Sequence, residues 1–192
     1  DNTKIGILLL AEKFRKANDL GRVEAIYRAA AAAASADGDL LNNAGLYLDK
    51  FMGDLGGIDY EVWLRTFAVN TLGAVRVTEA FAGQVAASEK KRVVAISSHM
   101  GSIAEIVATG NYAYRSSKAA LNAAMKGLSH ALAQRGIGVL LLHPGWVRTR
   151  MGGPDAPLTP AQSVHGMRAL VENFRPEMSG RFFRHDGTEI PW

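Results

Sequence analysis

Apolar residues along the chain fall into short uninterrupted runs that alternate with longer stretches in which they recur at helical spacing. The short runs, rich in Leu, Val, Ile and Phe, occupy residues 39–41, 91–97, 137–142 and 181–183. Such runs are typical of strands that are buried on both faces of a parallel sheet. Helical spacing covers residues 59–87 and 113–134, and Thr159-Pro160 has the residue types that begin a further helix. The pattern therefore predicts an α/β fold of three layers, with a parallel sheet between two layers of helices.

Length and composition agree with one globular domain over residues 1–192. Of the 192 residues, 48% are hydrophobic and 21% are charged, which is ordinary for a globular protein and excludes a fibrous or disordered chain. A chain of this length is long enough to bury one core. The Ala-rich run at 29–34 fits either a helix or a linker, and the pattern does not decide between them.

Charge and residue usage exclude several classes of partner. The net charge is +4, but the basic residues are scattered, which argues against nucleic-acid binding and leaves attraction for a phosphorylated cofactor. No apolar run reaches the roughly 20 residues that a membrane-spanning helix needs. Residues 1–4 lack the layout of a signal peptide, which favours the cytoplasm. The chain has no Cys, so disulfides and thiolate metal sites are excluded.

Four motifs follow one another between residues 42 and 149. They are Asn-Asn-Ala-Gly at 42–45, Ser97-Ser98, Tyr114 with Lys118 four residues on, and Pro-Gly-Trp-Val-Arg-Thr at 144–149. Together they resemble the short-chain dehydrogenase/reductase family, and the resemblance covers residues 39–192. The tail at 187–192 is similar to that of small carbonyl reductases of the C-factor and sniffer type. The resemblance implies a Rossmann-like, doubly wound parallel sheet and NAD(P)-dependent hydride transfer between a carbonyl and an alcohol.

Ser98, Tyr114 and Lys118 are the candidate catalytic residues. Tyr114 and Lys118 are four residues apart, so both side chains lie on one face of the predicted helix. An ordinary Tyr has a pKa of about 10, and a neighbouring ammonium would lower the pKa of Tyr114. Ser98 follows a strand, where its hydroxyl can hold the carbonyl oxygen of a substrate. Because the interval from Ser98 to Tyr114 is longer than is usual in the family, we expect residues 101–111 to bulge over the substrate site.

Asn70 resembles the fourth catalytic position of the family, within Val-Asn-Thr-Leu-Gly at 69–73. An Asn inside a helix competes for backbone hydrogen bonds and is locally unfavourable. The resemblance implies that Asn70 holds a water molecule next to Lys118. A kink without chemistry is the alternative interpretation.

Residues 1–38 match the family only weakly. Its members begin with a strand and a Gly-rich turn that brings a pyrophosphate to a helix N-terminus, whereas here the first strand is missing or shortened. Residues 1–7 resemble a remnant of that turn with Gly6 as its last Gly, followed by a helix at 8–17 and a strand at 22–28. Either part of the protein precedes this sequence, which we favour, or the domain is truly shortened.

The resemblance places the cofactor along much of the chain. Arg28, at the end of the predicted second strand, suits the 2′-phosphate of NADP, although NAD is possible. An ordinary surface Arg is an equal alternative interpretation of Arg28. The other predicted cofactor contacts, which bind the adenosine ribose or close on the nicotinamide, are Asn43, Ala44, Gly45, Tyr114, Lys118, Pro144, Gly145, Val147 and Thr149. The predicted substrate contacts are Ser98, His99, Trp146 and Met151. Core packing is an equal alternative for Trp146 and Met151, and a metal site is not expected.

The sequence therefore predicts an NADP-dependent carbonyl reductase or alcohol dehydrogenase that acts on a small molecule, with Tyr114 as its acid and base. The competing hypothesis is a catalytically silent protein of the same fold that signals or binds, because the cofactor-binding half is incomplete. The expected assembly is a homodimer or homotetramer, formed through the helices that carry Asn70 and Tyr114. The substrate depends on residues 99–112 and 150–158, whose sequence does not identify it.

Overall fold

The computed structural model describes residues 39–42, 45–49 and 55–192. These residues form one parallel sheet of four strands in the order β1-β2-β3-β4. The strands are β1 (Leu40–Asn42), β2 (Arg92–Ile96), β3 (Gly138–His143) and β4 (Arg181–Arg184). All four coincide with the predicted apolar runs, so the predicted α/β class and parallel sheet are confirmed. The predictions for residues 1–38, including Gly6 and Arg28, lie outside the described residues.

Helices pack on both faces of the sheet. They are α1 (Tyr60–Phe67), α2 (Ala74–Ala87), α3 (Tyr112–Ala133) and α4 (Pro160–Glu172). A π-helical turn, Ala68–Gly73, joins α1 to α2, so the predicted helix is continuous but changes its hydrogen bonding midway. Thr159 caps α4 as predicted, and its hydroxyl oxygen accepts from the backbone N–H of Gln162 at 3.2 Å. Within the described ranges, no helix is both long and apolar enough to cross a membrane.

Successive strand residues point to opposite faces of the sheet and divide the core into two layers. On one face, Val93, Val139 and Phe182 pack against residues of α2 and α3. On the other face, Val94 and Leu140 pack against residues of α4. Each fully buried side chain of this size stabilises the fold by about 1.5–3 kcal/mol. The predicted arrangement of three layers is therefore confirmed.

The carboxyl ends of the four strands meet at one edge of the sheet, because the strands run parallel. The register pairs Asn42 with Ala95 and His143 with Arg184. The motifs at 42–45, 97–98 and 144–149 occur where β1, β2 and β3 end. This is the edge at which open α/β sheets bind their ligands, so the fold brings the separate motifs to one place.

Candidate active site

The end of β2 brings Ser98 to Tyr114. Ser98 is buried and precedes a 3-10 turn, His99–Gly101, and its hydroxyl oxygen accepts from the backbone N–H of Met100 at 3.2 Å. Tyr114, in the first turn of α3, is 7% exposed, and its phenol is hydrogen-bonded to the Ser98 side chain. The two hydroxyl groups that the resemblance assigns to the substrate carbonyl are therefore adjacent.

Two close contacts hold the turn after Ser98 against α3. A Cβ atom at Gly101 would lie 2.8 Å from the carbonyl carbon of Lys118, so only Gly allows this approach of turn and helix. Asn122 is buried, accepts from Ser97 Oγ at 2.6 Å and donates to Gly101 O at 3.3 Å. The motifs do not predict Asn122 as a site residue. A polar residue on the apolar face of a helix, one turn after Lys118, is nevertheless a usable signal, because buried amides need partners.

Lys118 lies one helical turn beyond Tyr114 and is 3% exposed. Its ammonium donates to Ile96 O at 3.0 Å and lies 6.0 Å from the centroid of the Tyr114 ring. Burial lowers the pKa of Lys118 to about 8, because the charged form loses its hydration. A buried cation with a shifted pKa next to a buried phenol is typical of a functional site.

The pKa of Tyr114 is raised to about 12. Burial is the main cause, the hydrogen bond with Ser98 opposes it, and the neighbouring Tyr47 and Asp49 raise the pKa further. The prediction of a lowered Tyr114 pKa is wrong for the chain alone, because loss of hydration at the phenol raises this pKa. At neutral pH the phenol is protonated, which suits a proton donor.

Asn70 lies in the π-helical turn and is engaged by protein groups. Its Oδ1 accepts from Leu46 N at 2.7 Å, and its Nδ2 donates to Leu46 O at 2.8 Å and to Ser117 Oγ at 2.9 Å. The amide thus ties the segment after β1 to α3, at a point where the helix changes its hydrogen bonding. The role of Asn70 in holding a water molecule stays a prediction.

Tyr47 and Asp49, in the segment that follows β1, contact the start of α3. The Tyr47 ring stacks on that of Tyr114, with centroids 4.3 Å apart and an interplanar angle of 25°. Asp49 is buried, and its Oδ2 accepts from the backbone N–H groups of Ala113 and Tyr114 at 2.8 and 3.2 Å. The motifs miss both residues, because these contacts join positions more than 60 residues apart and leave no local pattern.

The residues around Lys118 fit the nicotinamide half of a dinucleotide. A Cβ atom at Gly45 would lie 3.7 Å from Lys118 Nζ, so this residue borders the ammonium. An ammonium has three N–H donors, and the described residues engage it through Ile96 O, which leaves donors for ribose hydroxyls. When bound, such a cofactor supplies the hydride. Asn43 and Ala44, the other predicted contacts in this turn, lie outside the described residues.

The loop after β3 contains the other predicted cofactor contacts. Gly145 has a left-handed φ of 85°, which strains any residue other than Gly, and a Cβ atom there would also meet the tip of the Leu158 side chain. Pro144 O accepts a side-chain hydrogen bond from α4 at 2.6 Å, and Val147 pairs with Leu158. The Thr149 hydroxyl accepts a backbone hydrogen bond within the loop at 3.1 Å. These contacts shape the loop at the ligand-binding edge, and its contact with a cofactor stays a prediction.

His99 and His143 lie side by side, directly after Ser98 and at the end of β3. Their Nδ1 and Nε2 atoms are 3.2 Å apart, and burial is the main cause that lowers the pKa of both, that of His143 to about 3. Both rings are therefore mostly uncharged near neutral pH. In the described part of the chain, no group of three His, Asp or Glu side chains is placed to hold a metal ion.

The predicted substrate loops lie at the surface. Trp146 is 54% exposed, and its indole donates to a backbone carbonyl of its own loop at 2.7 Å. Met151 is 43% exposed, so core packing, the alternative for both residues, is wrong. The loop at 102–111 is tied to β4 by an ion pair of Glu105 with Arg184 at 2.6 Å. Substrate contact by these loops, including the bulge over the site, stays a prediction.

The sequence also matches known proteins over most of its length. The profile of the family described as short chain dehydrogenase matches residues 16–157. The C-signal protein of Myxococcus xanthus is 47% identical over 153 residues, which are 80% of this chain and 91% of that protein. The chain spans only 56% to 64% of the length of several other curated dehydrogenases and oxidoreductases that it matches.

Solved carbonyl reductases share the fold. Carbonyl reductase Sniffer of D. melanogaster superposes with a TM-score of 0.82 and 30% identity, over 89% of this chain and 75% of that one. An NADPH-bound carbonyl reductase from chicken fatty liver superposes with a TM-score of 0.79 and 28% identity, over 88% and 73% of the two chains. The order of the motifs, the topology of the sheet and the geometry of the site therefore agree with these comparisons.

Proposed function

Since the chain belongs to the short-chain dehydrogenase family, as its motifs predict, we propose that it is an NADP-dependent carbonyl reductase that also oxidises the corresponding alcohol. One observation carries the proposal: the phenol of Tyr114 is buried, hydrogen-bonded to Ser98, and followed one turn later by the buried ammonium of Lys118. A purely structural core gains little from a buried phenol and an ammonium whose charge is costly to bury.

Each of the three residues has a part in the proposed reduction. The Ser98 hydroxyl would hold the carbonyl oxygen, and NADPH, when bound, would supply the hydride to the carbonyl carbon and leave as NADP⁺. Tyr114 Oη donates its proton to the same oxygen, so a C–H and an O–H bond form as the carbonyl π bond breaks. Lys118 donates to ribose hydroxyls and orients the nicotinamide. In the reverse direction the Tyr114 phenolate accepts the alcohol proton.

The experiment that tests this function has two steps. Fluorescence titration with NADPH shows whether the protein binds the cofactor, and absorbance of the reduced nicotinamide then follows turnover with a panel of aldehydes and ketones. We expect saturable binding and turnover of at least one class of carbonyl compound. Binding without turnover across the panel would contradict the reductase.

A second function is favoured by one observation, the 47% identity to C-signal. A catalytically silent member of the family that signals or binds would keep the fold and the cofactor site without needing the chemistry of Tyr114. The two functions differ in a measurable way. Only in the reductase does removal of the Tyr114 hydroxyl change the rate at which a reduced cofactor is consumed.

The proposed preference for NADP rests on Arg28. We expect NADPH to bind more tightly than NADH, because a guanidinium forms charge-assisted hydrogen bonds with a 2′-phosphate. Arg28→Asp should abolish or reverse the preference. Fluorescence titration with both cofactors measures the two Kd values, and Arg135→Asp, which changes an exposed Arg beyond the end of α3, is the matched control. Equal Kd values in the unaltered protein would remove the basis for NADP.

We also propose that the protein assembles as a homodimer or homotetramer. The surface of α1 and the π-helical turn exposes two large apolar side chains, Leu64 and Leu72. The neighbouring helix α3 offers four small or apolar ones, Ala119, Ala123, Leu128 and Ala131. A pair of helices with such residues suits a symmetric contact.

Light scattering at micromolar concentration tests the assembly. We expect the mass of two or four chains, and Leu64→Asp should lower that mass because it places a charge in the contact. Leu55→Asp, at another exposed apolar position outside α1, is the control. The mass of a single chain for the unaltered protein would show that the proposed assembly is wrong.

A further inference from the structure

The start of α3 is capped by a residue from a distant part of the chain. Asn111, which precedes the helix, has a left-handed φ of 55° and makes no side-chain cap. The first-turn N–H groups of Ala113 and Tyr114 instead donate hydrogen bonds to Asp49 Oδ2, at 2.8 and 3.2 Å. A carboxylate at this end of a helix satisfies unpaired donors and opposes the helix dipole. Asp49 therefore helps to fix the point at which the backbone of Tyr114 enters the helix.

The side chain of Tyr114 is held by a second residue of the same segment. Tyr47 covers one face of the Tyr114 ring at a centroid distance of 4.3 Å. The hydroxyl of Tyr47 donates to Asn111 Oδ1 at 2.7 Å, so the stacked ring is itself anchored at its far end. A stacked pair of aromatic rings contributes about 0.5–1.5 kcal/mol beyond the area that it buries. Tyr114 is thus held by Ser98 at its hydroxyl and by Tyr47 on its face.

The segment that carries Tyr47 and Asp49 also borders the other candidate groups. Its first residue, Gly45, lies against the ammonium of Lys118, and the backbone of Leu46 is held at both N–H and C=O by the Asn70 amide. Residues 45–49 therefore lie against Lys118, Asn70 and the first turn of α3.

We propose that Tyr47 and Asp49 are positioning residues of this site, which hold the Tyr114 phenol against Ser98 and shield one side of its ring from water. The proposal rests on the proposed reductase function and deepens it. Neither residue touches the reacting atoms in this scheme. Asp49 sets the backbone of the proton donor, and Tyr47 sets its ring.

If Tyr47 and Asp49 position Tyr114, they should also change the pKa of its phenol, which a merely structural role would not do. The titratable groups that face Tyr114 are Tyr47 and Asp49 from the segment after β1 and Lys118 from its own helix. Burial raises the pKa of Tyr114 most, and Tyr47 and Asp49 add to the rise. Removal of the Tyr47 ring admits water, and removal of the Asp49 charge takes away a repulsion. Both changes should lower the pKa of Tyr114.

The kinetic test compares Tyr47→Ala and Tyr47→Phe with a matched control. The control is Tyr60→Ala, which removes an exposed Tyr ring that stacks on Trp63 away from Tyr114. We expect Tyr47→Ala to lower kcat by about tenfold to a hundredfold, as loss of alignment does, with an unchanged KM for NADPH. Tyr47→Phe keeps the stack and should lose less than about threefold, and Tyr60→Ala should lose nothing.

The second test needs no turnover. Tyrosine labelled with ¹³C at Cζ reports each phenol by NMR, and Tyr114→Phe assigns the signal of Tyr114. In the unaltered protein we expect that signal to stay constant between about pH 8 and 10, whereas in Tyr47→Ala it should begin to titrate. Should Tyr47→Ala fail to fold, Asp49→Asn serves instead, because it keeps an acceptor for the helix N–H groups and removes only the charge.

The two tests separate this proposal from the proposed function. If the unaltered protein reduces no carbonyl compound, the reductase is wrong, and the NMR titration still decides whether Tyr47 and Asp49 control Tyr114. If Tyr47→Ala and Asp49→Asn leave the Tyr114 titration unchanged, the positioning role is overturned, whatever the turnover. An equal loss of kcat in Tyr60→Ala would also overturn it.

Discussion

Tyr114→Phe should lose about three to five orders of magnitude in kcat for carbonyl reduction, because the proton donor and one contact to the developing oxyanion both disappear. The ring and its stack on Tyr47 remain, and one hydrogen bond to Ser98 is lost, so the free energy of unfolding should fall by only about 1 kcal/mol. The measurement is kcat at saturating NADPH, with the Kd of NADPH measured beside it.

The matched control for this prediction is Tyr60→Phe, which removes the hydroxyl of an exposed Tyr on α1. Its kcat should equal that of the unaltered protein. The assignment of the proton donor would be contradicted by a Tyr114→Phe variant that binds NADPH and turns over at more than about a tenth of the normal rate, a loss smaller than general acid catalysis contributes.

Lys118→Met should make the protein more stable and nearly inactive. A fall in the pKa of Lys118 from 10.5 to about 8 means that keeping the buried ammonium charged costs about 3 kcal/mol at neutral pH. Met fills a similar volume and has no charge, and the lost hydrogen bond to Ile96 O offsets about 1 kcal/mol. The free energy of unfolding at neutral pH should therefore rise by about 2 kcal/mol, while cofactor affinity and turnover both fall.

The stability that Lys118→Met gains should depend on pH, and the pKa of Lys118 predicts in which direction. Between about pH 8 and 10.5 the unfolded chain holds a proton on Lys118 that the folded chain has released. The stability of the unaltered protein therefore rises with pH across this window, and that of Lys118→Met lacks this rise. Denaturant unfolding at neutral pH and at about pH 9.5 should show the gap closing. A variant that is less stable than the unaltered protein at neutral pH would show that burial of the ammonium is not costly.

Much of the fold is predictable because each strand carries a continuous apolar run. Neighbouring residues such as Val93 and Val94 point to opposite faces and each meets a helix layer, so the pattern of a buried parallel strand is strong. The start of α4 is predictable for a local reason as well, since Thr159 and Pro160 are neighbours in sequence. Features of this kind depend on short stretches of chain.

The pairing of Ser98 with Tyr114 is predictable only through the resemblance, because the order of motifs identifies the family. The features that the sequence does not predict depend on contacts between residues that are far apart in the chain. Asp49 caps a helix that begins more than 60 residues later, and the change of helical hydrogen bonding around Asn70 lies where its side chain is bonded to Leu46. The direction of the Tyr114 pKa was mispredicted for the same reason. It depends on how deeply the ring is buried, which residue types and spacing do not reveal.

Transfer of deuterium from cofactor to product tests the central claim most directly. The protein is incubated with NADPH that carries two deuterium atoms at C4 and with the carbonyl compound that it consumes fastest, and the alcohol is examined by mass spectrometry. The account predicts an alcohol with one deuterium on the former carbonyl carbon, formed far more slowly by Tyr114→Phe. An absence of deuterated alcohol, or equal amounts from the unaltered protein and from Tyr114→Phe, would contradict it.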